Sequence, residues 1–469
     1  MIIEGPGGNG WRSFGQSVRL IAPLAWPVFI GQISVLAFST VDTLLLARHG
    51  ATDLAALAVG SAAYITVFIG FMGVLMALSP IAGRLFGARE YATAGRQMHQ
   101  ALWIALGLAA LGSALLASGQ PFLWLAGGTG KAIDPAVQDK VRGYLLALAF
   151  SLPGSLLFTV YRAFNVGVSR PKAVMALQLG GLALKVPLST LLVFGAPAIG
   201  VPSLGAVGCG IATCIAMWAQ ALLAFMVLRR DPFYAPFALF GRGLDGPRRS
   251  DIGVLLALGV PMGASIFIEV TGLSFMAFLI ARISTTAVAG HQVALNIVAL
   301  LFLLALAIGN ATGALVAQRI GSGRHGDAVA LGWHGIALGA GLATLVGLSV
   351  YALRVPMLGL YTSDAAVAAA TLPLLAFVAW FHLGDSVQAV AAFVLRAWHV
   401  ARMPLAVNAI AIWGLGLGGG YLLAEDLFGI TPPALLGAAG YWCAATLGLL
   451  VAALALCALL RRMQREGDA

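Results

Sequence analysis

Apolar runs of about 18 or more residues, with few or no charged side chains, recur along the whole chain. About 20 helical residues span the hydrocarbon core of a bilayer, because each residue of an α-helix adds about 1.5 Å. Soluble domains carry about 25% charged residues. Here 9% of the 469 residues are charged and 60% are hydrophobic. Because the short segments of alternating polarity typical of a membrane β-barrel are missing, we predict an all-α polytopic membrane protein.

The apolar runs predict twelve transmembrane helices, six in each half of the chain. Their expected bounds are 18–47, 54–80, 98–119, 143–161, 173–195, 204–228, 252–281, 287–317, 328–352, 368–393, 405–424 and 436–460. The segment before the first run lacks the pattern of a signal peptide, so the first helix is expected to be retained. We predict an N-terminal lobe (1–228), a polar cytoplasmic linker (229–251) and a C-terminal lobe (252–469).

An internal repeat supports the division into two lobes. An offset of 234 residues pairs Pro27 with Pro261, Gly87 with Gly321, Cys209 with Cys443, and the tripeptide RAF (162–164) with RAW (396–398). Six helices are an even number, so both halves enter the membrane in the same orientation. The lobes should therefore be related by a pseudo-two-fold axis along the membrane normal, with the substrate cavity between them.

The basic residues alternate from loop to loop. Of the 27 Lys and Arg, twenty fall on the side of the N-terminus, among them Arg12, Arg162, Arg242 and Arg396, and one, Lys185, falls inside a span. The other six, on the opposite side, are Arg48, Lys131, Lys140, Arg142, Arg282 and Arg354. The positive-inside rule then places both termini in the cytoplasm. This distribution explains the net charge of +10 without a nucleic-acid partner.

Three acidic residues inside the predicted spans, Asp42, Glu269 and Asp385, form the candidate site; the other fourteen of the 17 are assigned to loops or tails. An ionised side chain at the bilayer centre costs at least about 2.5–3.5 kcal/mol, so such residues usually face a cavity and mark an ion pathway. The alternative is a structural ion pair or a hydrogen-bonded acid. The repeat pairs them with non-acidic positions: Met276, Val35 and Ser151, respectively. The buried charges of the two lobes are therefore expected to have different roles.

Glu269 and Asp385 both belong to the C-terminal lobe and are expected to share a small cation. Two neighbouring carboxylates in a medium of low dielectric resist joint ionisation, which couples proton uptake to whatever else occupies the site. Na⁺ would find oxygen ligands there. Ser265 lies one turn from Glu269, and His382 and Gln388 lie three residues either side of Asp385. His382 is expected to be either a proton relay or a buried packing residue.

Asp42 and Lys185 are expected to form an ion pair in the N-terminal lobe. Asp42 lies near the outer end of the first span, and Lys185 lies within the fifth. A lysine side chain can snorkel, which bridges the offset of roughly 7 Å between their expected depths. The pair would keep Asp42 ionised without a bound cation.

Six motifs along nearly the whole chain carry a family resemblance. They are P-x3-GQ-x9-DT (27–43), GAVGCGIAT (205–213), FIEVTG (267–272), AGHQVALN (289–296), YTSD (361–364) and GDSVQAVAAFVLRA (384–397). They resemble the multidrug and toxic compound extrusion (MATE) family, in its NorM-like bacterial branch. The resemblance implies two six-helix lobes around a cleft. It also implies a multi-pass protein of the bacterial inner membrane that exports organic cations, drugs and other xenobiotics in exchange for H⁺ or Na⁺.

The resemblance also implies site residues. Asp42 matches the first-lobe acid of the family, while Glu269 and Asp385 match its second-lobe cation site, where Na⁺ is one candidate ligand. Gln32, Gln292 and Asn296, which lie within the motifs, are expected to support the site or line the substrate cavity, as are Lys185, Ser189, Ser265, His382 and Gln388.

Two departures from the family pattern bear on the coupling ion. Members of this branch commonly have asparagines in span five, where this chain has Lys185 and Ser189. They also have a tyrosine one turn before the span-ten acid, where this chain has Phe381. The first lobe is therefore expected to bind a cation less well. The loss of a possible oxygen ligand near Asp385 favours H⁺ over Na⁺.

The alternative function is a flippase for a lipid-linked or amphiphilic substrate. Its anionic cargo would require several basic residues in the cavity, and the sequence places only Lys185 inside a span. A passive channel is disfavoured because the acids are placed asymmetrically. An enzyme is disfavoured because no nucleophile–base pair or metal-ligand spacing is found, so no cofactor is expected beyond the coupling ion. The expected partners are amphiphilic drugs and membrane lipids, and the working unit is expected to be a monomer.

Overall fold

The computed structural model describes residues 13–127, 134–241 and 243–467; Arg12, Lys131 and Arg242 lie outside this part. Twelve of its helices are long and apolar enough to cross a membrane. They are α1 (Phe14–His49), α2 (Ala51–Gly87), α3 (Tyr91–Ser118), α4 (Pro135–Gly167), α5 (Pro171–Phe194), α6 (Gly205–Arg230), α7 (Arg249–Ala281), α8 (Thr285–Gly321), α9 (His325–Ala352), α10 (Ala365–Ala397), α11 (Arg402–Ala424) and α12 (Ala438–Glu466).

Short elements occupy the connections between these helices. Two are α-helices, Gln120–Gly127 and Arg354–Tyr361. Three are 3-10 turns, Pro197–Ile199, Pro232–Phe237 and Pro433–Leu435. The described residues contain one isolated β-bridge, between Ala196 and Val201, and no β-strand. The prediction of an all-α protein with twelve spans is confirmed.

Most helices run several residues beyond the predicted spans. The α4 helix begins at Pro135, and α10 extends to Ala397. Polar side chains cap several of these ends: Asp134 accepts a hydrogen bond from Ala136 N at 2.8 Å, and Asp364 accepts one from Ala366 N at 2.8 Å. Such caps satisfy the free amides of the first turn. The apolar run stops where these polar residues begin, so hydropathy misses the outer turns.

The twelve helices form two lobes, α1–α6 and α7–α12, with matching internal packing. In the first lobe α4 is central and contacts α2, α3 and α6; in the second lobe its repeat counterpart α10 is central and contacts α8, α9 and α12. The predicted pseudo-two-fold relation is therefore present in the packing. The matching arrangement follows from the duplicated apolar pattern, because counterpart helices bury counterpart faces.

The α2 helix is broken at Met76 and Ala77, which its counterpart α8 is not. Pro80 has no amide hydrogen to donate to the Met76 carbonyl, which instead accepts a hydrogen bond from Ser79 N at 3.1 Å. The repeat places Ala314 opposite Pro80, so α8 continues unbroken. The break lets the second part of α2 (Leu78–Gly87) turn onto α8 of the other lobe.

The lobes meet most closely through a reciprocal glycine contact. A Cβ on Gly87 would collide with the backbone carbonyl of Gln318, and a Cβ on Gly321 would collide with the backbone carbonyl of Arg84. The repeat pairs Gly87 with Gly321 and Arg84 with Gln318. The contact is thus a pseudo-symmetric crossing of α2 over α8 that only glycine permits without a backbone shift.

The contacts between the lobes lie on one side of the molecule. Hydrogen bonds join Ser17 Oγ to His334 Nδ1 at 2.8 Å, Arg84 Nε to Ala397 O at 2.9 Å, and Gln318 Nε2 to Gly167 O at 2.6 Å. Among the described residues, the hydrogen bonds, ion pairs and close glycine approaches between lobes lie at mid-depth or at the end where α1 begins. We call this the closed end. At the other end no hydrogen bond, ion pair or close glycine approach joins the lobes within the described part of the chain, and we call it the open end.

The polar connection between the lobes packs against the N-terminal lobe. Tyr234 and Phe237 are buried against the N-terminal lobe, and Tyr234 Oη donates to Asn165 Oδ1 at 2.5 Å. Asp231 pairs with Arg170 at 2.7 Å. Aromatic residues inside a charged segment provide this anchor, so the connection packs as part of the first lobe.

Replacing Gly321 with alanine should shift the protein away from the state in which the closed end is sealed. The new Cβ would meet the Arg84 carbonyl, and a backbone cannot yield as a flexible side chain can. Spin labels on the exposed positions Ala92 and Arg402, one in each lobe, should report a longer distance in the variant, with the native cysteines replaced. Gly326→Ala is the matched control, because its Cβ would point into open space. An unchanged distance for Gly321→Ala would contradict the assigned role.

Candidate functional site

Asp42 and Lys185 form a buried ion pair within the N-terminal lobe. Lys185 Nζ lies 2.7 Å from Asp42 Oδ2, and the two side chains are 2% and 5% exposed for Lys185 and Asp42, respectively. Lys185 Nζ also donates to Thr213 Oγ1 at 2.8 Å and lies 4.7 Å from the centroid of the Phe38 ring. Ser189 Oγ donates to Asp42 Oδ1 at 3.4 Å. The ion pair expected from the sequence is present, and its ammonium occupies the place where a free cation would approach Asp42.

Glu269 and Asp385 lie on α7 and α10 of the C-terminal lobe. Asp385 is buried and Glu269 is half-buried. Within the described part of the chain, neither carboxylate has a hydrogen-bond or ion-pair partner. The charge of Glu269 acts on both Asp385 and Arg396, so the three groups are electrostatically linked without direct contact. The carboxylate oxygens are therefore available to a proton or a small cation.

The α11 helix fixes α7 on the turn around Glu269. Asn408 Nδ2 donates to Ser265 Oγ at 3.0 Å, and Trp413 Nε1 donates to the Ile268 carbonyl at 3.1 Å. Trp413 lies in a π-helical stretch of α11, Ala409–Gly418, which Asn408 directly precedes, and such widened turns often occur at functional sites. Ser265, one turn from Glu269 on α7, is thus hydrogen-bonded to Asn408.

The side chains near Asp385 on α10 are closely packed. His382 and Gln388 are both buried, and His382 Nδ1 has no hydrogen-bond partner among the described residues. Phe381 packs on Trp442, with ring centroids 5.4 Å apart. His382 lies three residues before Asp385 on α10, and its Nδ1 atom is free to accept or donate a hydrogen bond within the described part of the chain.

Gln292 and Asn296 lie on the exposed side of α8. Asn296 Nδ2 donates to the backbone carbonyl of Gln292 at 2.9 Å. No hydrogen bond within the described residues joins either side chain to Glu269 or Asp385.

A cavity lies between the lobes, toward the closed end. Helices of both lobes line it, and Gln32 of α1, Gln178 and Asn310 contribute amide groups. The charged lining residues are Arg162 of α4 and Arg396 of α10. The amide of Gln32 thus lies where the sequence expected a cavity residue.

The two cavity arginines correct the sequence interpretation. Both were assigned to cytoplasmic segments, with Lys185 as the one basic residue inside a span. The α4 and α10 helices are 33 residues long and continue past their apolar runs, so Arg162 and Arg396 remain inside packed helices. A basic residue at the end of an apolar run does not reveal whether the run ends in water or in a cleft.

Asp53 is a second correction, because the sequence assigned it to a loop. It lies in the first turn of α2 and is 2% exposed. Its carboxylate pairs with Lys140 Nζ at 2.7 Å and His49 Nδ1 at 2.9 Å, and it accepts a hydrogen bond from Ala206 N at 2.9 Å. Asp53 therefore ties four helices of the first lobe together at the open end. The sequence signal was present, since Asp53 directly precedes an apolar run (54–80).

Family comparisons agree with this architecture. The MatE family model matches residues 27–191 and 261–422. The two matches begin at Pro27 and Pro261, which the internal repeat pairs. A probable multidrug resistance protein NorM of Aromatoleum aromaticum is 38% identical over 442 residues, which cover 94% of this chain and 93% of the relative. The multidrug resistance protein MdtK of Edwardsiella ictaluri is 33% identical over 459 residues, 97% of each chain.

Solved structures show the same fold. The Vibrio cholerae MATE transporter VcmN in its bent form superposes with a TM-score of 0.84 at 18% identity and covers 97% of this chain and 98% of that one. The eukaryotic MATE transporter AtDTX14 gives a TM-score of 0.82 at 18% identity, with the same coverage. From the family matches and the twelve-helix fold together, the chain belongs to the MatE family of membrane transporters.

Proposed function

We propose that the protein is an antiporter that exports organic cations and other amphiphilic drugs in exchange for a coupling cation. The observation that carries the proposal is the pair Glu269 and Asp385, two electrostatically linked carboxylates in membrane-embedded helices without a protein partner. An incoming cation that neutralises the pair removes the attraction for a positively charged drug. Relatives of high coverage named as multidrug resistance proteins support the substrate class.

In this proposal the coupling site belongs to the C-terminal lobe alone. Lys185 supplies a resident cation to Asp42, so the N-terminal lobe needs no free ion to balance its buried charge. The ion pair would then act as a fixed element that shapes the first lobe. The asymmetry of acids between the repeats agrees with this division.

The proposal takes the closed end of the cleft as cytoplasmic, because most basic residues lie toward that end. The structure would then represent the outward-facing state, in which the coupling ion enters from outside and drug leaves. Alternating access would require the reciprocal glycine contact between Gly87 and Gly321 to open. Both termini would lie in the cytoplasm.

The residues around the pair favour H⁺ as the coupling ion over Na⁺. Phe381 offers no oxygen near Asp385. A proton needs only one carboxylate oxygen, whereas Na⁺ needs several oxygen ligands.

The flippase alternative gains no support from the relatives compared above. The structure does, however, supply basic residues in the cavity, because Arg162 and Arg396 line it. The number of basic residues in the cavity therefore does not distinguish a flippase from an antiporter. The relatives' names and the unpartnered carboxylates favour the antiporter.

Efflux of rhodamine 123, a fluorescent cation, from proteoliposomes tests the proposal. We expect efflux to accelerate when an inward-directed H⁺ gradient is imposed, and to respond less to a Na⁺ gradient of the same size. Protein-free liposomes are the control for leakage. Efflux that ignores both gradients would indicate a channel, and gradient-independent movement of a fluorescent lipid between leaflets would indicate a flippase. Either result would overturn the proposal.

A further inference from the structure

The inter-lobe cavity has a charge that the export of simple cations does not explain. Its charged lining residues are two arginines, Arg162 and Arg396, and no Asp or Glu lines it among the described residues. An organic cation would be repelled from this part of the cleft. The carboxylates that would attract such a cation, Glu269 and Asp385, are not among the residues that line this cavity.

Neither arginine has the acidic partner that a buried arginine usually has. Arg162 Nε is buried with no hydrogen-bond partner among the described residues, and its Nη2 reaches only the sulfur of Met76, at 3.8 Å. Arg396 is 9% exposed, lies 4.8 Å from the centroid of the Phe393 ring and makes no ion pair within the described part. Buried charged groups are normally paired and hydrogen-bonded. Both guanidinium groups therefore have donors left for a ligand.

The two arginines are counterparts in the internal repeat. An offset of 234 residues relates Arg162 on α4 to Arg396 on α10, the central helices of the two lobes. The pseudo-two-fold axis therefore places one guanidinium in each lobe, on opposite walls of the cavity. Gln32, Gln178 and Asn310 add amide donors nearby.

The lining groups match an oxyanion carried on an amphiphile. A guanidinium presents a planar fork of donors that fits a carboxylate or a phosphate with two parallel hydrogen bonds. The rest of the lining is largely apolar, including Met72, Leu306 and Phe393. The apolar wall would hold a ring system while the forks hold its acidic group.

We propose that Arg162 and Arg396 form a subsite that binds the oxyanion of an amphiphilic zwitterion in the cleft. The inference rests on the proposed export function and assigns two specific residues to substrate binding. In a bound zwitterion the acidic group would lie at the arginines, and the cationic group would point along the cleft toward Glu269. The oxyanion is either a carboxylate of the substrate or a phosphate of a lipid headgroup.

Two rhodamine dyes that differ by one ester group test the subsite. Rhodamine 110 carries a free carboxylate, and rhodamine 123 is its methyl ester. The acid preference of a protein is the Kd of rhodamine 123 divided by the Kd of rhodamine 110. In nanodiscs of a zwitterionic lipid, we expect this preference to be larger for the wild type than for Arg162→Gln. The loss in acid-over-ester preference should be about tenfold to a hundredfold, the range for hydrogen bonds to a charged group. Arg396→Gln should act in the same direction, and Arg402→Gln, an exposed arginine at the start of α11, should change nothing.

The outcomes separate this inference from the proposed function. If both variants bind the two dyes as the wild type does, or weaken both equally, the arginines serve only packing and the subsite is wrong. If wild type exports neither dye, the proposed function fails irrespective of the arginines. Adding phosphatidylglycerol to the nanodiscs identifies the source of the oxyanion. An acid preference of the wild type that persists assigns the subsite to the substrate carboxylate, and one that phosphatidylglycerol abolishes assigns it to a lipid phosphate.

Discussion

Replacing Lys185 with methionine should destabilise the protein by about 3–5 kcal/mol, the cost of breaking a buried ion pair from one side. The variant would leave the Asp42 carboxylate buried, with only weak remaining donors such as the Ser189 hydroxyl at 3.4 Å. Asp42→Asn should also destabilise, because the ammonium then loses its counter-ion. The double variant Asp42→Asn/Lys185→Met should recover most of the loss, since no unpaired charge remains. Reversible unfolding in sodium dodecyl sulfate measures all four proteins of this cycle.

The exposed pair Asp139 and Arg142 provides the matched control for Lys185. Its charged atoms lie 3.8 Å apart and its Arg and Asp side chains are 49% and 79% exposed. Arg142→Met should therefore cost less than about 1 kcal/mol. If Lys185→Met were as mild as Arg142→Met, and left the pH dependence of efflux unchanged, the buried pair would have neither a structural nor a functional role.

Substituting either carboxylate of the C-terminal pair should reduce gradient-driven efflux to the level of protein-free liposomes. Glu269→Gln and Asp385→Asn each keep the shape of the side chain and remove the group that would bind the coupling ion. Neither acid has a protein partner among the described residues, so folding should be preserved. Rhodamine 123 efflux under an imposed H⁺ gradient measures the effect. Undiminished efflux in both variants would overturn the site assignment.

Two controls accompany the carboxylate variants. Glu425→Gln removes an exposed acid just after α11 and should leave efflux unchanged. Burial, and then the charge of Arg84, lower the pKa of His399 to about 4. His399 lies between α10 and α11 and stays neutral above about pH 5, because its pKa lies below that range. His399→Gln should therefore leave the pH profile of efflux between pH 5 and 8 unchanged.

The fold was predictable because hydropathy and repetition determine most of it. Twelve apolar runs are long enough to span a bilayer, and the offset of 234 residues predicted the two lobes. The Asp42–Lys185 pair was predictable for a related reason. Two opposite charges at similar depth inside apolar helices have few other partners available, so a pairing between them is expected.

The cavity arginines could not be placed from the sequence, because the position of the cleft depends on how the lobes pack. Arg162 and Arg396 stand near the ends of apolar runs, where a cytoplasmic arginine also stands. Their equivalence in the repeat was a signal, but it does not say which face of α4 or α10 each occupies. Asp53 was missed for a similar reason, since its burial depends on Lys140 and Ala206 from distant helices.

Counter-ion release on drug binding tests most directly whether drug and coupling ion exchange at Glu269 and Asp385. Purified protein in nanodiscs, in weakly buffered solution with a pH indicator, would receive rhodamine 123, and a parallel sample loaded with radioactive Na⁺ would report release of that ion. The proposed exchange predicts protons released in proportion to dye bound, and no release from the double variant Glu269→Gln/Asp385→Asn. Dye binding without release of either ion in wild type, or equal release from the double variant, would contradict it.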